Sequence, residues 1–213
     1  MQHSSIPMQT LKRLPMYLKY LKSLPKDGAL NISCACIADA LGLNDVQVRK
    51  DLALVSSGGR PKIGYIVQDL ITDVEQFLGY DDMRSAVLVG AGNLGRALLS
   101  YQNFAQYGLE IVAAFDVNPP AADASVYGRQ ILPVDKLGDL CRRMNIRIGI
   151  VTVPEFAAQA VCDTLVESGV LAVWNFAPVQ LRAPANVLVL NENMASSLAV
   201  LSKHLMTQLY YAE

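Results

Sequence analysis

Three glycines and one carboxylate suggest the chemistry of the middle of this chain. Gly90, Gly92 and Gly95 form a Gly-x-Gly-x-x-Gly directly after the apolar run from Ser85 to Val89, and Asp116 follows 21 residues after the last glycine. A strand, a glycine turn and a helix in that order make a cradle for a pyrophosphate. The first glycine permits the tight turn, the second lets the backbone approach the phosphates, and the third lets the helix pack close to the sheet. The helix start adds free N–H groups and a positive dipole end. Asp116, at the end of the next apolar stretch, would accept hydrogen bonds from the ribose hydroxyls and repel a 2′-phosphate. The expected cofactor is therefore NADH or NAD.

The usual residues for hydride transfer are missing, which leaves Tyr101 and Tyr107 as the acid–base candidates. Such enzymes need an acid or base beside the reacting carbonyl, most often His or Lys. The only histidines are His3 and His204, one in the N-terminal tail and one in the last helical segment. Lys136 and Lys203 are the only lysines of the second half, and the Val153-Pro154-Glu155-Phe156 stretch after the third strand offers only Glu155. A dinucleotide with no evident acid–base partner reads as a ligand that is sensed.

A second group of residues could read DNA. Gln47, Arg49 and Lys50 lie early on a short helix that follows another short helix across a Gly42 turn, the pattern of a helix-turn-helix. Arg can pair with guanine, Gln with adenine, and Lys with guanine or phosphate. Arg60 and Lys62 sit in the Gly/Pro-rich segment Ser56–Tyr65, which reads as a wing suited to a minor groove.

The elements that must position these residues follow from periodicity. Leu11, Leu14, Leu18 and Leu21 predict a helix over 7–24, started or kinked at Pro15 and ended by the Lys26-Asp27-Gly28 turn. Ser33 should cap a helix from Cys34 to Leu41, and a second helix should run from Asp45 to Leu54. Ile66-Val67 reads as strand and 69–79 as a linking helix. Beyond Arg84, five buried-type strands are expected (85–89, 110–115, 147–153, 171–175, 187–190), alternating with helices after the glycine loop through Phe104, at 136–144 and at 155–168. That alternation means a parallel sheet covered on both faces. The fold class is α/β. A winged helix-turn-helix domain (1–80) precedes a Rossmann domain (81–190), and a C-terminal helix (191–213) carries Leu198, Leu201, Leu205 and Leu209 on one stripe.

Composition narrows the classes. The chain has 213 residues, 52% hydrophobic and 17% charged, which excludes extended disorder. No apolar run reaches the roughly 18 residues of a membrane span, and the first residues do not read as a signal peptide. A cytoplasmic protein without a membrane partner is expected. The net charge of −1 conceals a division, with +5 over residues 1–68 and −6 over the rest. A basic head on an acidic body suits contact with phosphates through the first domain alone. Cys34, Cys36, Cys141 and Cys162 have no zinc spacing and read as free thiols.

The sequence resembles the Rex family of redox-sensing repressors along nearly its whole length. The matching pieces are Arg13-Leu14-Pro15, Val48-Arg49-Lys50-Asp51-Leu52, Gly64-Tyr65, the glycine loop, Phe115-Asp116, Val151-Thr152-Val153-Pro154 and Asn175-Phe176-Ala177-Pro178. The resemblance implies a homodimer that binds double-stranded operator DNA, exchanges its C-terminal helices, and leaves DNA when NADH binds. Gly90, Ala91, Gly92, Asn93, Leu94 and Asp116 fall on cofactor-contacting positions, as do Val153, Pro154, Phe176 and Ala177. Tyr101 matches a switch tyrosine near the nicotinamide. Arg49 and Lys50 match the recognition helix, and Tyr65 the end of the wing. Two departures stand out. The wing lacks the family's aromatic-glycine and Lys-Arg-Gly stretch, and Asn193 occupies the place of an Asp that pairs with Arg13 in one switch state. Arg13 is expected to lose that charged partner, or to find Glu192 instead. Three other readings compete: an NAD-dependent oxidoreductase with a helical extension, a CoA-binding relative of the succinyl-CoA ligase alpha subunit, and a regulator whose Rossmann domain only dimerises. The second needs a phosphorylated histidine, and none lies in the Rossmann segment.

Overall fold

The computed structural model describes residues 6–25, 30–119 and 125–210. The Lys26–Gly28 turn, His3, Tyr211 and the side chain of Leu209 lie outside what is described. The chain divides into two compact units, Met1–Asp82 and Met83–Glu213.

In the first unit, α1 (Met8–Ser23) runs unbroken through Pro15 and buries Leu14, Tyr17, Leu18 and Leu21. Ser33 caps α2 (Cys34–Leu41) by accepting from the Cys36 N–H at 3.1 Å, and Gly42 ends it with φ 64°. The Asn44 side chain caps α3 (Asp45–Val55) through the Val46 and Gln47 N–H groups. Strand β1 (Asn31–Ile32) pairs antiparallel with β2 (Tyr65–Ile66), and backbone bonds between Arg60 and Gly64 close the loop before it. The expected strand at Ile66-Val67 ends one residue earlier. Val67 opens α4 (Val67–Leu78), because it is buried with Leu70 and Val74 at helical spacing. The unit's core joins Leu14, Tyr17, Ile37, Val48, Leu52 and Leu70.

The second unit is a seven-stranded sheet of order β5-β6-β4-β3-β7-β8-β9. Its strands are β3 (Arg84–Val89), β4 (Leu109–Asp116), β5 (Ser125–Val126), β6 (Arg129–Pro133), β7 (Ile148–Val151), β8 (Ala172–Asn175) and β9 (Leu188–Asn191). Six run parallel, and β5 pairs antiparallel with β6. Helices α6 (Leu137–Arg143) and α7 (Glu155–Glu167) belong to the core of Val87, Phe115, Val151 and Leu165. On the other face, Leu98 and Leu99 of α5 (Asn93–Ser100) pack against Leu88, Ala114 and Ile150. The β5–β6 hairpin was not foreseen. Two of its residues form one strand, and its turn takes positive φ at Tyr127 and Gly128. The helix expected to continue through Phe104 stops at Ser100. A 3-10 segment, Gln102–Tyr107, then brings Phe104 onto Trp174 and ends at Gly108 with φ 66°. The last helix, α8 (Met194–Tyr210), exposes every side chain described on it. No described helix is long and apolar enough to cross a membrane.

Candidate cofactor cleft and DNA-facing surface

Each glycine of the loop between β3 and α5 has its own steric reason. Gly90 has φ 103°, and a Cβ there would lie 2.8 Å from the Thr152 carbonyl. A Cβ on Gly95 would lie 1.9 Å from the Gly90 oxygen, so the helix can approach the strand only without one. A Cβ on Gly92 would meet no protein atom within 4 Å. Nothing in the fold therefore demands glycine at 92, and the space it leaves opens into a cleft. That is the fit expected of a loop that lets a bulky ligand reach its backbone. The Thr152 hydroxyl donates to the Gly90 oxygen at 2.7 Å, and Arg96 Nε donates to the Ala91 oxygen at 2.9 Å. Both tie the loop in place.

The cleft holds about 560 Å³ and is lined by Gly90, Gly92, Asp116, Val117, Thr152, Val153, Pro154, Phe156, Phe176 and Pro178, among others. Its walls are mostly apolar, with Asp116 the one charged side chain among them. Asp116 Oδ2 accepts from the Ala91 N–H at 2.7 Å and Oδ1 from the Asn118 N–H at 2.9 Å. Each oxygen retains further acceptor capacity toward the cleft. Six of the expected residues thus meet here: Gly90, Gly92, Asp116, Val153, Pro154 and Phe176. Asn93 and Leu94 begin α5 beside them, while Ala91 and Ala177 are buried behind the wall. Phe156 was missed by the sequence reading. It is 89% exposed and lies off the buried stripe of α7 formed by Ala158, Val161, Cys162 and Leu165. An apolar residue out of phase with its helix is the signal that could have found it.

Tyr101 is not part of the cleft lining. It ends α5 and packs edge-on against Phe104 at 4.9 Å; Phe104 meets Trp174 at 6.0 Å, and Trp174 meets Phe176 at 4.9 Å. A chain of four aromatic rings thus runs from Tyr101 to the cleft wall. Asn175, fully buried, organises that wall. Its amide donates to the Val179 oxygen and Asn191 Oδ1, and its Oδ1 accepts from the Ala177 N–H.

On the first unit, Arg49, Lys50, Arg60 and Lys62 are exposed, and Arg49, Arg60 and Lys62 line one cleft of about 400 Å³. Arg49 also pairs with Asp45 on its own helix at 3.2 Å. Two expected DNA-facing residues are placed differently. Gln47 is turned inward, donating to Asp51 Oδ1 at 3.1 Å. Tyr65 is 7% exposed and belongs to the core under the wing, because Gly59 leaves room for its ring. Of the four free thiols, Cys141 is pushed up to about 11 by burial. Among the described residues no three metal-binding side chains come together.

Two families match separate parts of the chain: a putative DNA-binding protein N-terminus over residues 5–53, and a CoA binding domain over 81–179. The redox-sensing transcriptional repressor Rex of Porphyromonas gingivalis is 40% identical over 93% of this chain and 91% of its own. The chain belongs to the Rex family. Rex of Bacteroides fragilis is 39% identical over 95% of this chain and 92% of its own. A Rex-family repressor called RSP, solved with NAD+ and operator DNA, superposes with TM-score 0.89 at 31% identity, covering 97% of this chain and 95% of RSP. RSP solved with NADH gives 0.85.

Within its own unit Arg13 has a carboxylate partner. Its Nε and Nη2 donate to Asp51 at 2.6 and 2.9 Å. Thr10 and Tyr17 reach the same carboxylate at 2.9 and 2.7 Å, since residues 10, 13 and 17 share one face of α1. Asn193 caps α8, accepting from the Ser196 N–H at 3.1 Å. Glu192 accepts from Trp174 Nε1 at 3.0 Å.

Proposed function

We propose that this chain is a homodimeric, cytoplasmic redox-sensing repressor without catalytic activity. Its Rossmann cleft takes NADH or NAD, its winged helix takes double-stranded operator DNA, and NADH releases the DNA. The observation that carries the cofactor reading is Gly92, a glycine whose missing Cβ serves no protein contact and opens onto a mostly apolar cleft beside Asp116. The Rex relatives and the ligands of RSP support the same assignment.

The backbone around Gly90 and Gly92 and the start of α5 would hold the pyrophosphate. Asp116 would orient the adenosine ribose. Val153, Pro154, Phe156 and Phe176 would exclude water at the other end. When bound, the nicotinamide supplies the signal, a positive charge present in NAD and absent in NADH. Apolar walls disfavour an unpaired charge, so this lining favours NADH. The chain responds only to the extent that its two dimer arrangements differ in affinity for the ligand. A nearly complete switch requires about 5.5 kcal/mol between states, which two sites in a dimer can share. Arg49, Lys50, Arg60 and Lys62 would contact DNA, while Gln47 and Tyr65 support them from within the domain. Arg13 is assigned to holding α1 against α3. Tyr101 acts at a distance from the cleft, through the aromatic chain.

The test is a gel-shift titration on a palindromic Rex-type operator at fixed moderate salt. NADH should release the protein and NAD should not. Asp116→Ala should bind the operator normally and require more NADH for release. Operator binding indifferent to both nucleotides would overturn the redox role, and turnover of an alcohol or hydroxy acid would favour an oxidoreductase.

A further inference from the structure

An apolar residue stands at the centre of the exposed face of α3. Val48, Asp51 and Leu52 point into the core. At about 100° per residue, Val46 points directly away from them, flanked by Arg49, Lys50 and Ala53. Val46 is 47% exposed, its three neighbours are exposed as well, and it takes no part in the domain's core. Valine there costs helix propensity through its branched Cβ and returns no packing within the fold. Its N–H is bonded to the cap residue Asn44, so it lies in the first turn, the end of such a helix that enters a major groove. Gln47, the side chain best suited to adenine, is drawn inward by Asp51.

We propose that Val46 is a base-reading residue whose methyl groups pack on the 5-methyl group of a thymine in the operator. The inference rests on the reading of α3 as the DNA-reading helix. The thymine methyl is the distinctive apolar feature of the major-groove edge. Lys50 on one side, and Arg49 on the other once a phosphate takes the place of Asp45, supply the charge that holds the helix in the groove. Against guanine, cytosine or adenine, the same valine would desolvate a polar edge and give it no partner. Against thymine it covers a methyl group and desolvates little else. Val46 therefore sets specificity by rejecting the other bases as much as by attracting one.

Deoxyuridine differs from thymidine only by that methyl group, which makes the contact separable. The full chain is used to select an operator from a randomised duplex pool. Each thymine of that operator is then replaced singly by deoxyuridine. Wild type and Val46→Ala are titrated on the set by fluorescence anisotropy at fixed salt, with thermal melting to check that the exposed substitution leaves the fold intact. At one position per half-site, the replacement should weaken wild type by about fourfold, the cost of leaving one methyl group uncovered. The same replacement should leave the affinity of Val46→Ala unchanged. If every replacement affects both proteins equally, or none affects wild type, the contact does not exist. A chain that enriches no duplex at all would remove the DNA reading itself, whereas an enriched operator without this coupling would remove only the role of Val46.

Discussion

Asp51 is the most heavily engaged side chain of the first unit. It is 1% exposed and accepts from Thr10, Arg13, Tyr17 and Gln47. Burial alone would raise its pKa, but hydrogen bonds from Arg13, Tyr17, Thr10 and Gln47 outweigh burial and hold it at about 2, against an ordinary 3.8. Burial and the Asp51 carboxylate push the Tyr17 hydroxyl up to about 12. Asp51→Ala strands a partly buried guanidinium and a buried phenol at once. It should destabilise the first unit by about 3 kcal/mol, the scale for breaking a buried pair, read as a lower urea midpoint. The sign of the pH effect follows from a pKa depressed by folding. The carboxylate's stabilisation is complete above the unfolded value near 4 and is lost as pH falls toward 2. In Asp51→Asn that acid-dependent loss should shrink, and an unchanged acid profile would show that other groups control it. The sequence offered Thr10, Arg13 and Tyr17 at spacings of three and four, but their common target lies 34 to 41 residues away, beyond any local pattern.

At the scale of elements, caps and glycines were legible because their reasons are local. Ser33 and Gly42 bound α2 where expected, and the turn before α5 has the geometry that its spacing implies. The β5–β6 hairpin and the break after Ser100 were not legible, since long-range packing of Ile131 and Phe104 decides them. In the cleft, the strand-end residues were found from their motifs, and Phe156 and Val117 were not, because exposure is invisible in a one-dimensional pattern. The glycine loop yields a paired prediction. Gly95→Ala would drive a Cβ to 1.9 Å from the Gly90 oxygen and should lower the melting temperature of the second unit. Gly92→Ala meets nothing and should leave melting unchanged, yet place a methyl group where the pyrophosphate is proposed to sit. Its NADH affinity should fall by about tenfold, the scale of a modest overpacking cost. Trp174, the only tryptophan, lies one ring from the cleft wall and supplies the fluorescence readout. Equal NADH affinity in Gly92→Ala and wild type would move the pyrophosphate site elsewhere.

At the scale of the whole molecule, the charge division and the last helix argue together for assembly. The excess of cations lies within residues 1–68, but Asp69, Asp73, Glu75, Asp81 and Asp82 cancel it over the first unit as a whole, so the attraction for a duplex is local to that basic segment. One small reading head gives limited affinity. Two heads joined in a dimer bind the second half-site as an intramolecular event. Helix α8 is the element available to join them. Leu198, Leu201 and Leu205 are 64, 67 and 57% exposed along one stripe, and Met194 is 71% exposed at its start. An apolar stripe of this length on a single chain calls for cover, and a second copy of the chain is the cover proposed here. Leu201→Glu with Leu205→Glu should leave the fold of each chain intact, since neither side chain is buried in its own subunit. Sedimentation equilibrium should then give the mass of one chain where wild type gives two. Operator affinity should fall by about a hundredfold or more with the loss of bivalent binding. An undiminished dimer in the double variant would place the subunit contact on another surface and leave α8 without its assigned role.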